Sequence, residues 1–250
     1  MVASIVAATK LASPLYATRP PVATQLIEHR YLDSSAQSLA SGVRTSDSVG
    51  AQVAVPALQS PAFFHDRDSF AMDLVRTGKV TPNRARSLAD VAVREAYTRK
   101  IPPALVLGVM LTENDEFKST AKSNVGAVGL MQIEPKSWVK TLGRKFGTNL
   151  KTDSTNLKYG IYILGWVTQK ASKLFEDADD AWRHALLSYN GCVRGSNTPN
   201  CHAYPDVVKR NVVQAARSTC QGASFDKCVV QPMLASRQDA AAEETVASTK

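Results

Sequence analysis

The 250-residue sequence has no apolar run of about 18 residues, so it predicts no transmembrane helix. Period-two alternation typical of β-strands is nearly absent, and no internal repeat is evident. The apolar fraction of 44% is ordinary for a globular protein. These observations favour one all-α domain flanked by less ordered ends.

Lysine and arginine do not form one dense cluster, although the chain has a net charge of +8 and a pI near 9.4. Their spread along the sequence disfavours nucleic acid as a partner. The simplest interpretation is a solvated basic surface. The charge would also suit an anionic partner, such as an acidic membrane surface or a cell-wall polymer.

Cysteine is absent from the first 191 residues, and the four that follow are Cys192, Cys201, Cys220 and Cys228. An even number in loop-like segments indicates two disulfides, and of three possible pairings we expect Cys192–Cys201 and Cys220–Cys228. A zinc site with His202 is the alternative, but no C-x-x-C pair or other usual zinc spacing is present. We therefore expect no metal, and an oxidising compartment outside the cytoplasm.

The two ends of the chain lack a sustained helical period. Residues 1–62 are rich in Ala, Ser, Val, Thr and Pro, which predicts a disordered leader, and residues 231–250 predict a flexible tail. A single folded domain is expected over residues 63–230. In the first residues an apolar run precedes Lys10, the reverse of the order in a signal peptide, so the export route stays open.

Between these ends the sequence predicts helices from apolar spacing and from Pro, Gly and acidic residues at helix ends. Thr81 with Pro82, and Pro102 with Pro103, are typical helix starts. The predicted helices lie at 66–78, 81–100, 103–114, 156–172, 178–190 and 204–219.

Glu113 stands at the end of the apolar segment LVLGVMLT. Burial and the negative end of a helix dipole both disfavour the charged carboxylate, so both would raise its pKa. A carboxylic acid that stays protonated near neutral pH can act as a general acid, for example on a glycosidic oxygen. Glu116, three residues later, is the rival candidate. We prefer Glu113 because the apolar residues run directly up to it.

Four short motifs follow in order: T-E-N at 112–114, G-L-M-Q at 129–132, S-Y-N-G at 188–191 and A-Y-P-D-V-V at 203–208. Over roughly residues 83–217 the sequence resembles the catalytic domain of soluble lytic transglycosylases, which cleave peptidoglycan and share the goose-type lysozyme fold. The segment NLKYGIYIL also resembles the helix that this family places between its second and third motifs. The resemblance implies an all-α, lysozyme-like fold.

The resemblance assigns roles to individual residues. Glu113 matches the catalytic acid and base. A glycan ligand suits the amide, hydroxyl and aromatic groups of the other matched positions. The implied substrate-binding residues are Ser123, Met131, Gln132, Tyr189, Asn190 and Tyr204.

The sequence departs from the family pattern in two places. Asn114 stands where the family has a serine after the catalytic glutamate, and the loop from Glu113 to the G-L-M-Q motif is slightly longer. A Cys192–Cys201 bridge would pin the loop between the third and fourth motifs, which frames the implied cleft.

The resemblance implies cleavage of the bond between N-acetylmuramic acid (MurNAc) and N-acetylglucosamine (GlcNAc) without water, leaving 1,6-anhydroMurNAc ends. This route uses one glutamate as acid and then base, and it requires no cofactor. The alternatives are a hydrolytic goose-type muramidase and a non-catalytic wall-binding module. The muramidase would need a second carboxylate, with Asp153, Asp179 and Asp180 as candidates.

The same resemblance implies peptidoglycan glycan strands as the partner. A cell-envelope machine is a further candidate partner, and we expect a monomer. The implied location is the periplasm or the outside of the cell.

Overall fold

The computed structural model describes residues 57–192, 200–233 and 235, and these form a helical domain. The α-helices are α1 (Pro61–Arg76), α2 (Pro82–Thr98), α3 (Pro103–Glu113), α4 (Pro135–Phe146), α5 (Asp153–Leu174), α6 (Ala178–Asn190) and α7 (Tyr204–Ala215). Short 3₁₀ turns lie at Ala57–Gln59 and Cys201–Ala203, and a π-helical turn at Asp226–Val230. The described residues form no strand, only two isolated bridges at Lys122–Val128 and Val128–Ile133. The all-α prediction is confirmed.

Helix α3 lies at the centre of the domain. Every residue from Ala104 to Met110 is buried, and Gly108 faces Val208 and Val212 of α7. A Cβ atom at residue 108 would lie 2.5 Å from the Val212 side chain, so glycine allows the two helices to approach closely. Helix α3 therefore runs through the core, and its last residue, Glu113, lies where the helix reaches the surface.

Three further helix pairs surround α3. Helix α1 packs on α2, α2 on α5, and α5 on α6. Their apolar residues join α3 and α7 in one hydrophobic core. Burial of these faces removes large apolar areas from water, which is the main source of stability in a domain of this kind.

Helices α1 and α4 differ from the sequence prediction, and α5 (Asp153–Leu174) extends beyond the predicted 156–172 at both ends. Helix α1 begins at Pro61, five residues before the predicted start, because the Ser60 hydroxyl accepts a hydrogen bond from the Phe63 N–H and Pro61 fits the first turn. Helix α4 was not predicted. Its signals were Pro135 at the first helical position and the i, i+4 spacing of Trp138 and Leu142.

The segment after α7 is held by a buried carboxylate. Asp73, which has no exposed surface, accepts hydrogen bonds from the Ser218 N–H and from the Thr219 N–H and hydroxyl. Arg76 pairs with the same carboxylate at 2.9 Å. Helix α7 consequently ends at Ala215, four residues earlier than predicted.

Residues 1–56 of the predicted leader lie outside the described residues. The last two residues of the predicted leader, Pro61 and Ala62, belong to α1. Of the predicted tail, 231–233 and 235 are helical and the rest lies outside the described residues. No helix of the described segments is both long and apolar enough to cross a membrane.

Candidate active site

Glu113 is the last residue of α3 and is only partly exposed. The Tyr204 hydroxyl donates a hydrogen bond of 2.5 Å to its Oε1. Burial raises the pKa of Glu113 to about 7, and the hydrogen bond from Tyr204 opposes part of that rise. At neutral pH a substantial fraction of Glu113 is therefore protonated, as a general acid requires.

Two tyrosines approach Glu113 from different helices. Tyr204 is the first residue of α7, and Tyr189 lies in the last turn of α6. Burial, and then the negative charge of Glu113, raise the pKa of both tyrosines well above 10. Both hydroxyls therefore stay protonated and can donate hydrogen bonds. That of Tyr189 donates to the Met131 carbonyl at 3.0 Å.

The Cys192–Cys201 disulfide links the two tyrosine-bearing helices. Cys192 follows α6 by two residues, after a left-handed turn at Gly191, and Cys201 opens the 3₁₀ turn that leads into Tyr204. The second disulfide joins Cys220 to Cys228. Both predicted pairings are confirmed.

The same bond decides against the zinc alternative. The Cys192 and Cys201 sulfurs and a ring nitrogen of His202 lie within 4.8 Å of one another. Zinc binds cysteine as the free thiolate, and both sulfurs are used in the disulfide.

The G-L-M-Q motif forms a tight loop held by one buried side chain, Asn156. Its Nδ2 donates to the carbonyls of Val128 and Leu150, and its Oδ1 accepts from the Met131 N–H at 2.8 Å. Gly129 has a φ of +84°, and a Cβ atom there would lie 2.2 Å from the Asn156 Nδ2. Glycine at residue 129 is therefore required by both the backbone angle and the close approach.

Met131 contributes to this loop from inside the protein. Its side chain is fully buried against Gly160 of α5, where an added Cβ atom would lie 2.3 Å from the sulfur. Because the Met131 carbonyl accepts from Tyr189, the residue links the G-L-M-Q loop to the tyrosine beside Glu113. The structure thus gives Met131 a positioning role, while its predicted contact with substrate remains a prediction.

Asn114 connects Glu113 to the same loop. This buried side chain donates to the carbonyls of Lys118 at 2.8 Å and Gly129 at 3.1 Å, and its Oδ1 accepts from the Lys118 N–H. The longer amide thus bridges the chain after α3 to the G-L-M-Q loop. Sequence reasoning noted Asn114 only as a departure from the family serine.

The remaining predicted substrate-binding residues lie in three different parts of the domain. Ser123 is half-buried and closes a turn, its hydroxyl accepting from the Ala127 N–H at 3.0 Å. Gln132 has a φ of +46° and donates from its side chain to the Gly129 carbonyl. Asn190 ends α6, next to Tyr189. Their contacts with substrate remain predictions.

The rival acid Glu116 is exposed and pairs with Lys79 at 2.6 Å. The hydrogen bond from Lys79 holds the pKa of Glu116 below its usual range, so this carboxylate is charged at neutral pH. A charged, solvated group cannot serve as the general acid, which supports the preference for Glu113.

Two of the candidate second carboxylates, Asp153 and Asp179, have other partners. Asp153 accepts from Arg84 and from Ser119, at 2.9 and 2.6 Å. Asp179 accepts from the Trp182 indole at 2.7 Å. Asp179 and Asp180 lie in the first turn of α6, about 15 Å along the helix from Tyr189 in its last turn.

Sequence reasoning missed Asn156. Its signal was a polar side chain at the start of the otherwise apolar segment NLKYGIYIL, but the carbonyls that it binds are distant in sequence.

The fold and this arrangement define a lysozyme-like, all-α domain with a partly buried glutamic acid at the end of its central helix. The transglycosylase SLT domain family model matches residues 90–198, a little under half of the chain. The match confirms the resemblance stated from the sequence for this segment. Tyr204 lies beyond the matched range. Comparison with curated proteins and with solved structures finds no significant match.

Proposed function

We propose that the protein is a peptidoglycan lytic transglycosylase that cleaves the MurNAc–GlcNAc β-1,4 bond and leaves 1,6-anhydroMurNAc ends. The observation that carries the proposal is the environment of Glu113, whose pKa is raised to about 7 by burial. The match of residues 90–198 to the SLT family model supports peptidoglycan as the substrate. A partly buried glutamic acid with a raised pKa argues against a merely wall-binding module.

The reaction would need one carboxyl group. Protonated Glu113 donates its proton to the bridging oxygen, and the bond from that oxygen to C1 of MurNAc breaks. The substrate's acetamido oxygen stabilises the positive charge on C1. Glu113, now a carboxylate, accepts the proton of the C6 hydroxyl while O6 bonds to C1. Glu113 ends protonated again, and no water is consumed.

The neighbouring residues support this sequence of steps. Tyr204 holds Oε1 by a hydrogen bond, which orients the carboxyl group and helps to stabilise its charged form between the two steps. Ser123, Gln132 and Asn190 carry hydroxyl and amide groups suited to sugar hydroxyls and acetamido groups. We assign them to substrate binding on that chemistry.

Water enriched in heavy oxygen tests the proposal against hydrolysis. Purified peptidoglycan would be digested in this water and the soluble fragments weighed. A transglycosylase gives anhydro fragments without the heavy isotope. A muramidase gives reducing ends that carry it, and that result would overturn the proposed mechanism.

The two disulfides fit a protein that works in the periplasm or outside the cell, where peptidoglycan is also found. We place the protein there. Labelling of free thiols after extraction from cells tests this location, since both disulfides should be formed.

A further inference from the structure

Helices α4 and α5 present a surface of aromatic and basic side chains, which we call the α4–α5 surface: Trp138, Lys145, Tyr162, Trp166 and Lys170. The rings of Trp138 and Trp166 meet edge to face, with centroids 6.1 Å apart. Trp166 is 48% exposed, which is unusual for so large an apolar side chain.

Cations lie against these rings. The Lys170 ammonium is 5.6 Å from the centre of the Trp166 ring, and that of Lys145 is 5.0 Å from the centre of the Tyr162 ring. Cation–π contacts of this length hold the side chains beside the rings, and both lysines are exposed to solvent. The surface therefore combines an exposed aromatic face with positive charge.

The charge of this segment is one-sided. Residues 135–174, which comprise α4 and α5, contain eight Lys and Arg residues and one acidic residue, Asp153. Asp153 is paired with Arg84 of α2. The rest of the chain has nearly equal numbers of acidic and basic residues, so the net charge of +8 comes mostly from this segment. Lys and Arg are spread evenly along the sequence, so the local excess of positive charge arises because Asp and Glu are nearly absent from this segment.

Trp166 faces away from the side of α5 that the G-L-M-Q loop covers. Met131 covers α5 at Gly160, and Trp166 follows six residues later. A helix turns by about 100° per residue, so Trp166 points about 120° away from the Gly160 face and lies about 9 Å further along the helix.

We propose that the α4–α5 surface is a second binding site for peptidoglycan, which holds a glycan strand outside the site of cleavage. This inference rests on the proposed function. The exposed Trp166 ring would stack on a sugar ring, while Lys145 and Lys170 pair with carboxylates of the stem peptides. A glycan is favoured over a lipid surface because the other apolar side chains of α4 (Val139, Leu142 and Phe146) pack on the core rather than projecting outward.

Binding to insoluble sacculi tests the proposal without cleavage. Glu113→Gln would serve as the background, and Trp166→Ala would be added to it. We expect the affinity measured by co-sedimentation to fall roughly fivefold to tenfold, since an aromatic contact is lost. A fully retained affinity would overturn the proposal.

Phe64→Ala is the matched control. Phe64 on α1 is 43% exposed and has the Arg67 guanidinium 5.2 Å from its ring centre, so it resembles Trp166 in exposure and in its cation. Arg67, however, is neutralised by Asp68. The control should keep its affinity for sacculi. An equal loss in both variants would contradict a specific site on α4 and α5.

The basic residues give an independent test. Lys145→Ala with Lys170→Ala should weaken binding and reduce its sensitivity to salt, because exposed charge pairs are screened by added ions. Unchanged binding in this double variant would overturn the assignment of these lysines. Anionic vesicles and DNA would be tested in the same way. If Trp166→Ala weakened binding to either of them more than it weakened binding to sacculi, that partner would replace the glycan in the proposal.

Short soluble glycan fragments separate this inference from the proposed function. With Glu113 present, Trp166→Ala should cleave such fragments at the wild-type rate but digest sacculi more slowly. Failure of the wild type on both substrates would contradict the proposed function. Wild-type cleavage with equal digestion of sacculi by both proteins would contradict only the second binding site.

Discussion

At the scale of single residues, the raised pKa of Glu113 has a consequence for stability. The pKa is about 7 in the folded protein against an ordinary value of 4.5, so the folded state binds the proton more tightly than the unfolded state. Stability must therefore fall as pH rises from about 4.5 to about 7, with the full loss above that range.

Glu113→Gln removes this titration and keeps an oxygen that can accept from Tyr204. We expect the variant to exceed the wild type in free energy of unfolding by roughly 1 to 3 kcal/mol at about pH 8, with partial exposure favouring the lower end. Near pH 4.5 the advantage should be small. Urea unfolding at both pH values measures it, and a difference that does not change with pH would contradict a buried, titrating Glu113.

Tyr204→Phe tests the hydrogen bond to Glu113. The Tyr204 hydroxyl favours the charged carboxylate, so its removal should raise the pKa of Glu113 further. The alkaline limb of the pH–activity profile should then move to higher pH.

Tyr189→Phe is the control, because that hydroxyl donates to Met131 rather than to Glu113. Its alkaline limb should stay in place even if the rate falls. A shift of the same size in both variants would show that the Tyr204 hydrogen bond does not set this pKa.

The sequence was sufficient to predict Glu113, since an apolar run that ends in a carboxylate is a local pattern. It could not predict what Asn114 and Asn156 do. Asn114 binds the Gly129 carbonyl, and Asn156 binds the carbonyls of Val128 and Leu150. These carbonyls lie 6 to 28 residues away in sequence, so the role of each amide depends on tertiary contacts.

At the scale of elements, the G-L-M-Q loop depends on Asn156. Asn156→Ala would leave the Met131 N–H and the carbonyls of Val128 and Leu150 without this partner in a buried setting. We expect the free energy of unfolding to fall by about 2 to 4 kcal/mol. Activity on peptidoglycan should fall as well, because the loop also holds Tyr189.

Chemical denaturation of Asn156→Ala beside Asn83→Ala measures this loss. Asn83 is an exposed residue near the start of α2, and its replacement should change stability by less than about 0.5 kcal/mol. Equal stability of the two variants would mean that the buried amide does not anchor the loop.

Most helices could be predicted because their caps are local. Thr81 with Pro82 and Pro102 with Pro103 lie where the structure begins α2 and α3, and the predicted bounds of α6 agree with its observed bounds. Helix α4 was overlooked because only Leu142 is fully buried in it and its first turn has no acidic residue. A helix that buries only a narrow stripe of side chains shows a weak apolar pattern in its sequence.

At the scale of the whole molecule, the two disulfides allow a comparison of nearly equal loops. The bonded cysteines are 9 and 8 residues apart, so each bridge should contribute about 2 to 3 kcal/mol by restricting the unfolded chain. We therefore expect a similar loss of stability in two double variants, one with Cys192→Ser and Cys201→Ser and the other with Cys220→Ser and Cys228→Ser.

Their activities should differ. Below the unfolding temperature of both variants, loss of the Cys192–Cys201 bridge should lower the rate roughly tenfold to a hundredfold, because it joins the helices that carry Tyr189 and Tyr204. Loss of the other bridge should change the rate little. Equal rates in the two variants would show that the first bridge does not position the site.

The packing of α4 on α5 was the feature least accessible from sequence. The acid-poor stretch 135–174 can be counted in the sequence, but the contact between Trp138 and Trp166 that joins the two helices depends on tertiary structure. The disulfides, in contrast, followed from the count and closeness of the cysteines, because short loops of this kind have few alternatives.

The measurement that tests the central claim most directly is a digest of purified peptidoglycan with the wild type beside Glu113→Gln, with the soluble muropeptides weighed by mass spectrometry. We predict 1,6-anhydroMurNAc ends from the wild type and no cleavage products from the variant. Anhydro products from Glu113→Gln at the wild-type rate would contradict Glu113 as the acid and base. Reducing ends from the wild type would contradict a reaction that proceeds without water.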